Sequence, residues 1–139
     1  VDTPGQALTL LTLDATPPVF DGPEDRNGRR NRDEVLLWDH ALAGRFGKVP
    51  GPFPVILGNL NLDPDAGDGL REAVQTVLDN PALQDPLPGL PTAEWDSVGP
   101  LRVSYVLPAA TLEVVDAGVM PPSEEAGPHR LVWVDLAAP

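Results

Sequence analysis

The side chains best placed for chemistry lie in the run Val55-Ile56-Leu57-Gly58-Asn59-Leu60-Asn61-Leu62-Asp63-Pro64. Val55–Leu57 reads as a buried strand, Gly58 stops it, and polar side chains follow where the chain turns. At such a strand end a hydrolytic enzyme sets carboxylate and amide groups against a metal-bound phosphate. The first polar position, however, is Asn59, an amide where that chemistry calls for a carboxylate. An amide has no basic lone pair near neutral pH, so Asn59 cannot act as general base toward water. Asp63 reads as the cap of the turn into Pro64.

Other polar groups are less organised. Arg26, Arg29 and Arg30 form the one basic cluster, able to face a phosphate or to pair locally with Asp21, Glu24, Asp25, Asp33 and Glu34. His40 has no second His or Cys at ligand spacing and reads as a solvated or capping residue. Trp38, Trp95 and Trp133 show no stacking pattern and suit a core or an interface. A phosphate-cradling Gly-rich loop and a nucleophile elbow are both missing from the sequence. The lack of cysteine excludes disulfides and thiolate metal sites and leaves the redox compartment open.

The elements that must hold these groups belong to one domain, residues 1–139. An apolar content of 42% allows a core, whereas 18 prolines and 13 glycines assign much of the chain to turns and loops. The net charge of −12 argues against a nucleic-acid groove, because phosphate binding needs clustered Lys and Arg. No apolar run approaches the roughly 20 residues of a membrane span. The chain starts at Val1 rather than Met, so a processed or trimmed N-terminus is expected, with a removed secretory signal as one source.

Apolar spacing predicts a strand over Ala7–Leu13, a loop over Asp14–Asn31 and a helix over Asp33–Phe46, with Asp33 and Glu34 in its first turn. A second helix is expected over Gly69–Leu78, then a proline-rich loop from Asn80 to Pro100 carrying Trp95. Strands follow at Leu101–Leu107, Thr111–Val115 and Arg130–Leu136. The last is apolar on both faces, as a central strand would be. These elements predict an α/β fold: one mixed, mostly antiparallel sheet of about five strands with helices on one face. Helices too few to cover both faces leave the second face for another copy or another chain.

Three spans taken together carry a resemblance. They are Pro17-Pro18-Val19-Phe20-Asp21-Gly22-Pro23-Glu24-Asp25-Arg26-Asn27-Gly28-Arg29-Arg30-Asn31, then Gly58-Asn59-Leu60-Asn61-Leu62-Asp63-Pro64, and finally His129-Arg130-Leu131-Val132-Trp133-Val134 preceded by Arg102-Val103-Ser104-Tyr105-Val106-Leu107-Pro108. In this order and spacing nearly the whole chain resembles the C-terminal half of the endonuclease/exonuclease/phosphatase family. The loop is similar to that of a bacterial, often exported branch. The resemblance implies half of a two-sheet α/β sandwich, magnesium-dependent phosphoester hydrolysis, and an exported or periplasmic location.

At the positions of chemistry the chain departs from the family pattern. The family strand ends G-D-x-N; Asn61 matches the Asn, while Asn59 replaces the Asp. Ser104 stands where R-x-D-Y has its Asp, and Pro128 where S-D-H has its Asp, with His129 retained. Asp14 aligns with a family histidine. The family's metal-binding Glu lies in the N-terminal half, outside the matched span. Asn61, Arg29 and Arg30 remain as candidate phosphate contacts, Asn61 and His129 as vestigial catalytic groups, and Asp14 and Asp63 as weak metal candidates. The expectation is a non-catalytic binding or structural subunit without a cofactor, associating with itself or a protein partner through the uncovered sheet face. The rival is a magnesium-dependent phosphodiesterase or phosphatase whose missing half-site comes from another chain or a deleted N-terminal half.

Overall fold

A computed structural model describes residues 2–3, 6–123, 125 and 127–137. In chain order its elements are β1 (Asp2–Thr3), β2 (Gln6–Ala7), β3 (Thr9–Asp14), α1 (Arg26–Leu42), β4 (Pro54–Asn59) and α2 (Glu72–Leu78). They are followed by β5 (Ala93–Trp95), β6 (Gly99–Leu101), β7 (Ser104–Pro108), β8 (Val114–Val119) and β9 (Val132–Leu136).

The centre is a three-stranded sheet in the order β3-β4-β7, with β3 parallel and β7 antiparallel to β4. A parallel pair needs a long crossover, and α1 supplies it. Strand alternation sorts the side chains into two faces. Leu11, Ile56 and Leu107 form one row, and Leu13, Gly58 and Tyr105 the next, both toward the helices. Val35 of α1 and Ala73, Val74 and Val77 of α2 close over them in the main core. Ile56 is 1% exposed, and burying a side chain of that size contributes about 1.5–3 kcal/mol. On the opposite face Val55, Ala109 and Leu112 make a smaller cluster with Leu8, Phe53, Leu57, Val106 and Leu136.

The single five-stranded sheet is not formed. Four sheets appear among the described residues: the three-stranded one and the antiparallel pairs β1-β2, β5-β6 and β8-β9. The run expected to be continuous over Leu101–Leu107 breaks at Arg102 and Val103, whose backbone groups serve other partners. Arg102 N–H donates to Asp63 Oδ2 (2.6 Å), and the Val103 carbonyl accepts from Leu60 and Asn61 N–H (2.8 and 3.1 Å). The final strand is not central either: among the described residues β9 is bonded only to β8, and Leu131 just before it is 69% exposed. The strand expected at Thr111–Val115 is displaced to Val114–Val119, with an irregularity between Val114 and Asp116. Trp95 belongs to β5 rather than to a loop.

Helix α1 begins at Arg26, well before the expected Asp33, and ends at Leu42 rather than Phe46. The missed turns are held by polar contacts that apolar spacing does not register. Asn27, Asn31 and Glu34 fall on one face at helical spacing. Asn27 Nδ2 donates to the Val19 carbonyl (2.7 Å), and Asn31 Nδ2 to those of Thr16 and Leu60 (both 2.8 Å). Glu34 accepts from Thr16 N–H (2.6 Å). The first turn therefore carries no acidic residue. His40 sits in the last turn, its Nδ1 3.6 Å from Asp39. Helix α2 is shorter than expected, starting at Glu72 instead of Gly69. No helix among the described residues is long and apolar enough to cross a membrane.

Candidate functional site

Register brings three of the singled-out positions into one row. Asp14 pairs with Asn59 across β3-β4, and Asn59 with Ser104 across β4-β7. The row lies on the sheet face away from the helices, at the end of β4. Ser104 Oγ donates to Asn59 Oδ1 at 2.7 Å, so the amide oxygen and the hydroxyl proton are paired. Asp14 is exposed beside them. Ser104 is itself held in place by Thr92, whose buried Oγ1 accepts from Val103 and Ser104 N–H (2.9 and 2.8 Å).

Gly58 is required where it stands. Its φ is 134°, and a Cβ there would collide with the Leu13 carbonyl of the neighbouring strand. Beyond Asn59 the chain is clamped. Asn61 adopts a left-handed φ of 51° and spends its Nδ2 on the Ala15 carbonyl (2.7 Å). Asp63 Oδ1 accepts from Asp65 and Ala66 N–H (2.8 and 2.9 Å), and Oδ2 from Arg102 N–H. Asp63 thus caps the turn, as its place before Pro64 suggested. The Tyr105 hydroxyl lies 2.9 Å from the Leu62 carbonyl and 2.8 Å from that of Arg102, serving both with one proton. Burial pushes that phenol far above its ordinary value. The Arg102 guanidinium covers the Tyr105 ring at 4.4 Å and grips both Asp85 oxygens at 2.7 and 2.6 Å.

His129 stands between two clefts. With Asn59, Ser104, Val106 and Leu131 it borders one of about 270 Å³, and with Asn61, Asp63 and Trp95 one of about 380 Å³. Its ring meets Trp95 edge-on, with centroids 5.4 Å apart at 87°. Its Nδ1 is buried without a hydrogen-bond partner among the described residues. The neighbouring Pro128 carbonyl accepts from Glu94 N–H (3.0 Å), and Arg130 pairs with Glu94 at 2.6 Å, which ties this segment to β5. Arg29 and Arg30 are exposed on α1 and line neither cleft; Arg30 pairs with Glu34 at 2.7 Å.

A hard divalent cation takes several oxygen ligands, mostly carboxylate. The row offers one carboxylate, Asp14, while the Asn59 carbonyl oxygen already accepts from Ser104 and both Asp63 oxygens accept backbone N–H groups. No set of three or more His, Cys, Asp or Glu gathers to hold a metal among the described residues. The donor set of this strand end does not by itself fit magnesium.

Sequence reading singled out the three positions but neither their pairing in one row nor what fixes it. Thr92, Asp85 and the His129–Trp95 contact gave no local signal, since each acts on a residue distant in the chain. A scan against protein-family models, a search of curated proteins and a search of solved structures each found no match.

Proposed function

We propose that this chain is a degenerate, phosphoesterase-like domain that works as a non-catalytic binding or structural subunit. The observation that carries the reading is the Ser104–Asn59 hydrogen bond within the row Asp14–Asn59–Ser104. Two neutral groups paired with one another provide no base to activate water and little charge to hold a metal. The side of the sheet away from the helices supplies the association surface, since the small cluster around Val55 covers it only in part: Leu10 there is 42% exposed, Leu57 and Val106 are half-buried, and Leu131 beside them is 69% exposed. The partner is a second copy or another protein chain.

Two measurements test this. In the presence of magnesium the purified chain should not hydrolyse a generic phosphodiester such as bis-p-nitrophenyl phosphate above background. Turnover that disappears on Asn61→Ala overturns the reading. In sedimentation at micromolar concentration the chain should associate, and a monodisperse monomer counts against the subunit role.

A second reading has one observation in its favour: Asn61 and His129 line the same cleft. An additional half-site from another chain would then complete a magnesium-dependent phosphoesterase, with Asn61 contacting phosphate and His129 a non-bridging oxygen. The same turnover assay, with the Asn61→Ala control, separates the two.

A further inference from the structure

The larger cleft has a character unlike a phosphate site. Its wall is mostly apolar and includes Trp95 and the His129 ring, and Phe20 stands at its mouth, 97% exposed. Among the described residues its charged lining is Asp63 and Asp68, and no Lys or Arg lines it. The Arg102 guanidinium is turned onto Asp85, and Arg71 is spent on the Gly67 carbonyl (2.8 Å). Asp63 is committed to its turn, whereas the Asp68 carboxylate makes no hydrogen bond among the described residues.

Phe20 on this cleft is also held in a costly backbone conformation. Its φ is 65°, in the left-handed region where a side chain as bulky as Phe is rare, whereas Asn61 at φ 51° is of a type that enters that region readily. Such strain gathers where a ligand site is being shaped. A large aromatic ring held out in solvent by a strained backbone, above a cleft with an aromatic wall, is arranged to close on something apolar.

We propose that this cleft binds an organic cation with an apolar body, of the quaternary-ammonium kind. Aromatic faces attract such a cation through the ring quadrupole, and the methyl groups fill the apolar wall. Asp68 supplies the counter-charge. The net charge of −12 draws cations toward the surface and repels the phosphate monoanions and dianions that an ancestral site would take. The inference does not rest on the loss of catalysis, because binding is read without metal or phosphoester present.

The test follows the Trp95 indole and Gly67 amide resonances of the full chain by NMR during titration with choline. Its uncharged carbon isostere 3,3-dimethyl-1-butanol and the anion benzoate serve as comparisons. Choline should shift both signals saturably and bind at least about threefold tighter than the alcohol, the order of an exposed cation–π contact. Asp68→Asn should remove most of that preference. Phe20→Gly should weaken choline binding severalfold without lowering the thermal midpoint, since glycine adopts a positive φ freely. Equal affinity for choline and the alcohol, a preference for benzoate, or no saturable shift at Trp95 and Gly67 overturns the proposal. An Asp68→Asn or Phe20→Gly protein that binds choline like the wild type overturns it as well.

Discussion

The two faces of the β3-β4-β7 sheet are made by the same three strands and serve opposite ends. Toward the helices, Leu11, Ile56, Leu107 and Tyr105 are buried in one core. On the other face, Thr12 and Asp14 are exposed, and Leu57, Asn59, Ser104 and Val106 are half-buried. The first face carries the larger part of the core. The second carries the row Asp14–Asn59–Ser104 beside a smaller cluster. One sheet can therefore pack tightly on one side and present polar groups on the other, because alternate residues of a strand answer to different constraints.

The largest test removes a side chain from each face. Ile56→Ala should cost about 2–5 kcal/mol in urea unfolding, whereas Leu57→Ala, one residue on, should cost less than about 2 kcal/mol. Equal losses would mean that the outer face is as well packed as the inner. Next, Asn59→Asp combined with Ser104→Asp sets three carboxylates in one row with Asp14. Like charges opposite one another should destabilise the metal-free protein by up to about 1 kcal/mol. Magnesium at ten times its dissociation constant should then add about 1.4 kcal/mol, visible as a higher thermal midpoint absent in the wild type. A midpoint indifferent to magnesium would show that the row lacks the geometry of a metal site as well as its charge.

The smallest effect concerns pH. Burial alone raises the Glu34 carboxyl, but the Thr16 N–H and the Arg30 guanidinium outweigh it and hold the group below its usual range. A carboxyl depressed on folding contributes stability above its unfolded value, and that contribution is lost as pH falls through the folded one. Wild type should therefore exceed Glu34→Gln in urea midpoint at neutral pH, with the gap narrowing below about pH 4.3, the ordinary Glu value. A gap that stays constant into acid would place the tie in packing rather than in charge.

What could be read from the sequence follows the same division. The helix-facing strands were legible because alternation and apolar spacing report burial directly. The turn at Asp63 was legible because its chemistry is local. The start of α1 was not, since Asn27, Asn31 and Glu34 anchor that helix through hydrogen bonds to Val19, Thr16 and Leu60, and a polar face reads as solvent-exposed. The sheet was overextended because Val103 looks like a strand residue but gives its carbonyl to the Leu60–Asn61 turn. The positions of Asp14, Asn59 and Ser104 in sequence could be aligned with a family pattern. That they are one row on the outer face could be known only from the register.

The parallel pairing of β3 with β4 has a consequence for the order of events in folding. It cannot begin as a hairpin, because the whole of α1 intervenes between the two strands. Closing such a loop costs chain entropy before any ladder bond repays it, and folds rich in distant contacts assemble slowly. The contacts of Asn31 and Glu34 with Thr16 bring the helix back onto the end of β3 through a much shorter loop. The polar face that hid the start of α1 from its sequence is thus also a short route by which the chain can gather its central sheet.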